Sequence, residues 1–242
     1  MIDLVTDFKK IINKGTEKTI DSLNEVFKSL NIEKNKEFIR NITKYYMVIA
    51  IWFKNLKENI SENDDRRFLL DNILLDYCSI LNCVILGDEK IINFLYRNVI
   101  ESMLRFVTCE LTTKEIDKLF NKISQECKGN KEKKIMQTYV SVLKSIYDES
   151  CLYIHTDVDK IPSDLKNLID YNNKSKKLDM SKLINSFNNL NISIFSILQI
   201  KYYDIYLNFK SNTKGLINEV MPLKYRIRNS EFENERRNIN IL

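Results

Sequence analysis

The chain has 242 residues, with 38 Lys and Arg against 33 Asp and Glu for a formal charge of +5, and only four glycines and two prolines. So few turn-forming residues exclude a many-stranded sheet and leave long helices as the natural outcome. The length suffices to bury roughly 70% of the unfolded surface, and the interleaved charge permits a nucleic-acid partner without demanding one.

Apolar residues at Ile2, Leu4, Val5, Phe8, Ile11 and Ile12 predict a first helix over residues 2–13, stopped by Gly15. Thr16 then caps a second, carrying Ile20, Leu23, Val26, Phe27 and Leu30. A third runs from about Glu33 to Glu58 and is rich in aromatics, among them Phe38, Tyr45, Tyr46, Trp52 and Phe53. Ser61, Asn63 or Asp64 caps the next, whose wide apolar face from Phe68 to Ile85 implies burial against several neighbours before Gly87 ends it. Asp88 starts a helix reaching about Cys109. The Thr112-Thr113-Lys114-Glu115 run reads as a capping signal for a shorter helix ending near Cys127. After the polar stretch Lys128 to Lys134 comes a helix from about Glu132 to Ser150, and Pro162 suits the first turn of another. The last long helix is expected from Asp179 to Asn212, broken by Gly215 and Pro222.

The fold class is therefore all-α, a bundle of about seven to nine helices with long antiparallel core helices. Residues 1–62 form an N-terminal helical segment packing on the bundle, residues 63–222 the bundle itself, and residues 223–242 a charged tail that docks on a partner, pairs as a short strand or stays loose. Cys78, Cys83, Cys109, Cys127 and Cys151 include no CxxC pair, and the opening MIDLVTDFKK lacks the apolar core of a secretory signal. Reduced, buried thiols in a cytoplasmic protein are expected. No apolar run is seen to approach the roughly 18 residues that cross a bilayer, the nearest being Tyr45 to Phe53, so no membrane partner is expected.

The chemistry-bearing residues are few. His155, the single histidine, lies in Ser150-Cys-Leu-Tyr-Ile-His155 and is the first candidate for acid–base work near neutral pH, although a lone His near a helix end is commonly a structural donor or cap. One histidine cannot supply HExxH or a Cys2His2 site, and the scarce glycines exclude GxGxxG, GxxxxGK[ST] and GxSxG, so no cofactor and no metal are expected. Arg97, Glu101 and Arg105 fall at four-residue steps on one side of a helix, where Glu101 can brace either guanidinium. The plain alternative is a surface ion-pair ladder. Lys144 and Tyr153 are candidates to touch a phosphate or stack on a base, and Lys224, Arg226, Arg228, Arg236 and Arg237 to contact an RNA backbone.

A helix with Arg97-x-x-x-Glu101, followed some fifty residues later by a helix end with Tyr147, Ser150, Tyr153 and His155, resembles the HEPN-like all-helical proteins of prokaryotic phage-defence and toxin systems over about residues 65 to 210. The resemblance implies a metal-independent ribonuclease of an abortive-infection system, often a homodimer, with an antitoxin or another defence protein as a further partner. It implies that His155 moves the proton of the ribose 2′-hydroxyl or the leaving 5′-oxygen, that Arg97 neutralises the phosphorane and that Glu101 orients Arg97; Arg105, Lys144 and Tyr153 would hold the RNA. The sequence departs from the pattern in which an arginine precedes the histidine by five to seven positions, because Asp148 to Ser150 contains none. A non-catalytic helical adaptor or dimerisation module is the alternative reading, and a helical RNA binder without turnover a third.

Overall fold

A computed structural model describes residues 2–112, 114–127, 129–154 and 179–239, and among them all regular structure is helical. The α-helices are α1 (Ile2–Val26), α2 (Lys36–Glu58), α3 (Arg67–Leu86), α4 (Glu89–Thr108), α5 (Ile116–Gln125), α6 (Asn130–Ile154), α7 (Met180–Lys201), α8 (Tyr203–Leu207), α9 (Ser211–Val220) and α10 (Leu223–Ile239), with a 3-10 turn at Glu33–Asn35 leading into α2. The helix expected after Pro162 lies outside the described residues.

Several helix ends follow from single residues. Gly87 takes the left-handed conformation at φ 79° that closes α3, and Asp88 then caps α4 by accepting the Ile91 N–H at 3.0 Å. Asp179 caps α7 in the same way, accepting from Lys182 at 3.0 Å. At the start of α5 the expected capping run does not operate: the helix begins at Ile116, with Glu115 in the cap position and no side-chain bond to the backbone.

Four expectations are corrected by packing. Gly15 does not stop a helix; α1 runs through it, and the residue is small because a Cβ there would stand 3.3 Å from Thr43 Cγ2 and 3.4 Å from Met47 Sδ on α2. The last long helix ends earlier than Asn212, at Lys201, where Tyr202 leaves helical geometry and Tyr203, Tyr206 and Phe209 turn inward onto Trp52 and Phe232. Gly215 is inside α9. The residues expected as a charged tail instead form α10, seated on α6 and α7 by the fully buried Phe232.

The core is centred on α7, buried without a break from Leu190 to Ile200. Phe187 meets Phe38, Tyr45, Tyr77 and Tyr96 with ring centroids 5.3 to 6.1 Å apart, so α2, α3 and α4 all converge on one ring. Some polar groups that α7 buries are matched: Asn191 accepts from the Tyr77 hydroxyl and donates to Phe187 O at 2.7 Å, whereas the Asn188 side-chain oxygen has no partner among the described residues. Asn229 of α10 donates to Gln199 at 2.8 Å and accepts from Tyr139 of α6 at 2.8 Å. Arg236 forms a two-pronged pair with the buried Glu132 at 2.8 and 3.1 Å, and Glu235 accepts the N–H groups of Lys131 and Glu132 at the start of α6.

α3 packs along α4 for its whole length, so Arg66 before its first turn reaches Phe106 and Cys109 at the far end of α4. Against the expectation that no stretch is long enough, α3 is long and apolar enough to cross a membrane by length and composition. Its inner face of Leu69, Leu70, Ile73, Tyr77, Ile80 and Val84 belongs to the protein core.

Candidate functional site

The four-residue spacing on α4 places Arg97 and Glu101 on the side that faces α6. Arg97 Nε donates to Glu101 Oε1 at 2.8 Å, and the Tyr147 hydroxyl of α6 donates to the same oxygen at 2.9 Å. The Arg97 guanidinium also sits 5.5 Å from the centre of the Tyr147 ring. Tyr147 is in turn held edge-on by Phe120 of α5 at 5.9 Å and 71°. Arg97 is thus fixed by an anion and an aromatic face from two helices, while its side chain keeps 29% of its surface in solvent and that of Glu101 keeps 22%. Only Nε is bonded, so among the described residues the two terminal nitrogens have no hydrogen-bond acceptor.

The other expected residues part company. Arg105 does not share Glu101: its Nη1 donates to the Leu111 carbonyl at 2.9 Å and closes the α4–α5 loop, whose path brings that carbonyl within reach. Lys144 lies over the Phe120 ring at 5.5 Å and is ion-paired with Asp117, with Asp148 3.7 Å away. The Tyr153 side chain, the Arg237 side chain and the whole of His155 lie outside the described residues. The described part of α6 ends at Ile154, immediately before His155.

Electrostatics assign proton states to the described groups. The Glu101 hydrogen bond raises the Arg97 guanidinium above its ordinary value, with partial burial opposing it. Burial, and then the carboxylate it donates to, hold the Tyr147 hydroxyl well above the ordinary phenol range. The Asp117 hydrogen bond raises the Lys144 ammonium. Near neutral pH these are two cations and a neutral donor, none of them a proton acceptor.

Two hollows escaped the sequence reading. A cleft of about 540 Å³ opens between α2 and α3 over Phe53 and Leu74, with Lys54, Lys57 and Arg67 at its rim. Lys57 is ion-paired with Asp71, and Arg67 donates to the Lys57 carbonyl at 2.8 Å, so two of those cations hold the α2–α3 corner together. A smaller cleft lies where the start of α4, the end of α6 and the start of α7 meet, lined by Glu89, Asn93, Glu149, Ser150, Asp179 and Lys182. Neither was legible, since each is made by helix ends distant in sequence. Tyr147 was visible as part of the α6 pattern, but its place on Glu101 depends on the α4–α6 register. Among the described residues no group of three or more His, Cys, Asp or Glu side chains is placed to hold a metal ion.

Comparison of the chain with protein families, with curated proteins and with solved structures finds no match.

Proposed function

We propose that the chain is a metal-independent endoribonuclease acting as a toxin of a phage-defence, abortive-infection system, with its site at the α4–α6 junction. The observation that carries the reading is the Arg97 fork: a guanidinium held through Nε by Glu101, stacked on Tyr147, partly exposed, and with two terminal nitrogens that have no acceptor among the described residues. Such a fork matches two oxygens of one phosphate, and its rigidity lowers the ordering cost of binding.

In this reading an RNA phosphate binds the fork, the neighbouring 2′-hydroxyl attacks phosphorus as it gives up its proton, and the 5′-oxygen leaves as it takes a proton from water. The products carry a 2′,3′-cyclic phosphate and a 5′-hydroxyl. Charge grows on the non-bridging oxygens in the transition state, where the terminal nitrogens of Arg97 stabilise it. Arg97, Lys144 and Tyr147 cannot accept the 2′-hydroxyl proton and the Glu101 carboxylate is engaged by both Arg97 and Tyr147, so the reading assigns that task to His155. Cys151 is near enough to act on Arg97 electrostatically, and His155 follows it by four residues, a reach of at most about 14 Å. A cytoplasmic location belongs to the same reading, since the substrate is cellular RNA. A non-catalytic adaptor has its own support in the same geometry, because Arg97, Glu101 and Tyr147 also clamp α4 to α6.

Incubation of the purified chain with RNA in EDTA, followed by analysis of product ends, separates the two. The nuclease predicts cyclic-phosphate ends, and a loss of roughly 100-fold or more for both His155→Ala and Arg97→Ala with helical content unchanged. Cleavage that persists undiminished in His155→Ala, or an absence of cleavage in the intact chain, would remove the proposed mechanism.

A further inference from the structure

The basic run near the C-terminus divides on folding. Arg236 is taken up by Glu132, whereas Lys224 and Arg228, one turn apart at the start of α10, have no carboxylate partner among the described residues. α10 has no acidic residue in its first turn, so Lys224 stands at the positive end of the helix dipole with nothing to offset it. α2 brings a second pair. Arg40 and Lys44 are also one turn apart and likewise without a carboxylate partner among the described residues, and Lys44 is half-buried. Burial, and then the Arg40 charge, lower its ammonium from the ordinary value. Tyrosines join the two pairs. Lys44 Nζ lies 4.6 Å from the centre of the Tyr45 ring and Lys224 Nζ 4.7 Å from that of Tyr225, while Tyr225 is near enough to Tyr45 to act on its hydroxyl electrostatically. Tyr225 also stands 6.1 Å from the Tyr139 ring of α6, and Arg228 is beside the Tyr139 hydroxyl. Four cations gathered without an anion repel one another, which a ligand of the missing charge relieves.

We propose that this α2–α10 corner is a second RNA site, apart from Arg97, where Arg40, Lys44, Lys224 and Arg228 take the phosphates of a single strand and Tyr225 stacks under a base. Within each pair the two cations are about 6 Å apart along their helix, close to the spacing of successive phosphates. They form a ladder suited to a strand, whereas a small anion calls for cations that converge on one point. Neither of the two clefts described above is lined by these residues, which disfavours a free nucleotide. Tyr225 is partly exposed, and an aromatic face of this kind accepts any unpaired base. An anionic membrane fits less well, because Leu223 and Ile227 are the exposed large apolar side chains of α10 and two such residues anchor weakly. The corner reaches α6 at Tyr139, two turns or about 12 Å from Tyr147, so it adds contacts outside the Arg97 site. It holds RNA without chemistry and does not rest on the cleavage reading.

Fluorescence anisotropy of the full chain with a fluorescein-labelled 2′-O-methyl RNA strand tests the proposal. That strand lacks the attacking hydroxyl, so binding is read whether or not the chain cleaves RNA, and either idea can fail alone. Lys44→Gln combined with Lys224→Gln is expected to raise Kd roughly tenfold with helical circular dichroism retained. The same variant should flatten the slope of log Kd against log salt by about 1.4, at about 0.7 for each phosphate contact removed, which a merely structural role does not move. Tyr225→Ala should raise Kd roughly fivefold or more, and Tyr225→Phe should keep it near that of the intact chain. Lys54→Gln, at an exposed lysine about 15 Å further along α2, should leave Kd unchanged. An absence of binding, a double variant with unaltered Kd and salt slope, an equal loss in Lys54→Gln, or a chain that ignores the strand but floats with phosphatidylcholine–phosphatidylglycerol vesicles would each overturn it.

Discussion

At the scale of single residues, the groups worth altering are those whose surroundings set their proton state or hold another group in place. Asp76 stands half-buried on α3 with no hydrogen bond or ion pair among the described residues, and burial raises its carboxyl from 3.8 to about 6. The folded value lies above the unfolded one, so this group favours folding most below about pH 4 and withdraws that contribution as pH rises through about 6. Asp76→Asn is expected to flatten this decline and to stabilise the protein by about 1 kcal/mol near pH 7, after allowance for solvent screening. Urea titrations across that pH range read it directly. Tyr147→Phe keeps the ring under Arg97 but removes the donor to Glu101. It should cost about 1 kcal/mol in the same titrations and, if the nuclease reading holds, lower cleavage by loosening Arg97. The Arg97–Glu101 pairing was legible because four-residue steps share a helix face. The diversion of Arg105 to Leu111 was not, because it depends on the path of a loop.

At the scale of elements, the helix ends were legible where one residue decides them and illegible where packing does. Gly87 closes α3 at φ 79° with open space around it, so Gly87→Ala should cost about 1 kcal/mol from backbone strain alone, measurable as a lowered melting temperature. Gly15 carries the same letter and the opposite meaning: its place is helical, and its smallness serves the approach of α1 to Thr43 and Met47. Sequence offers no distinction between a glycine that turns the chain and one that admits a neighbour. The end of α7 at Lys201 was hidden for a related reason, since the pattern from Tyr202 to Phe209 remains apolar while its aromatic rings follow Trp52 and Phe232.

At the scale of the whole molecule, the C-terminal residues bind the bundle together instead of trailing from it. Glu132 is 3% exposed and Arg236 13% exposed at the side chain, so their pair is shielded from water at the α6–α10 contact. Arg236→Met removes the two-pronged guanidinium contact from the buried Glu132 carboxylate and should cost about 3 kcal/mol, whereas adding Glu132→Gln to it should recover part of the loss. Chemical denaturation of the single and double variants checks both. The Tyr139–Asn229–Gln199 chain of hydrogen bonds adds to the same contact, and all its members are buried.

Composition and periodicity by themselves determined that the regular structure among the described residues is helical, where most of the long helices lie, and that Arg97 and Glu101 share a face. These are local properties, fixed by glycine and proline scarcity, by caps such as Asp88 and by the 3.6-residue repeat. Tertiary structure alone decided that α7 is the buried axis, that the charged C-terminal residues fold back as α10, and that Tyr147 closes on the Arg97–Glu101 pair. Each of these depends on which helices meet and at what register, and contacts between residues far apart in the chain leave no periodic trace along it.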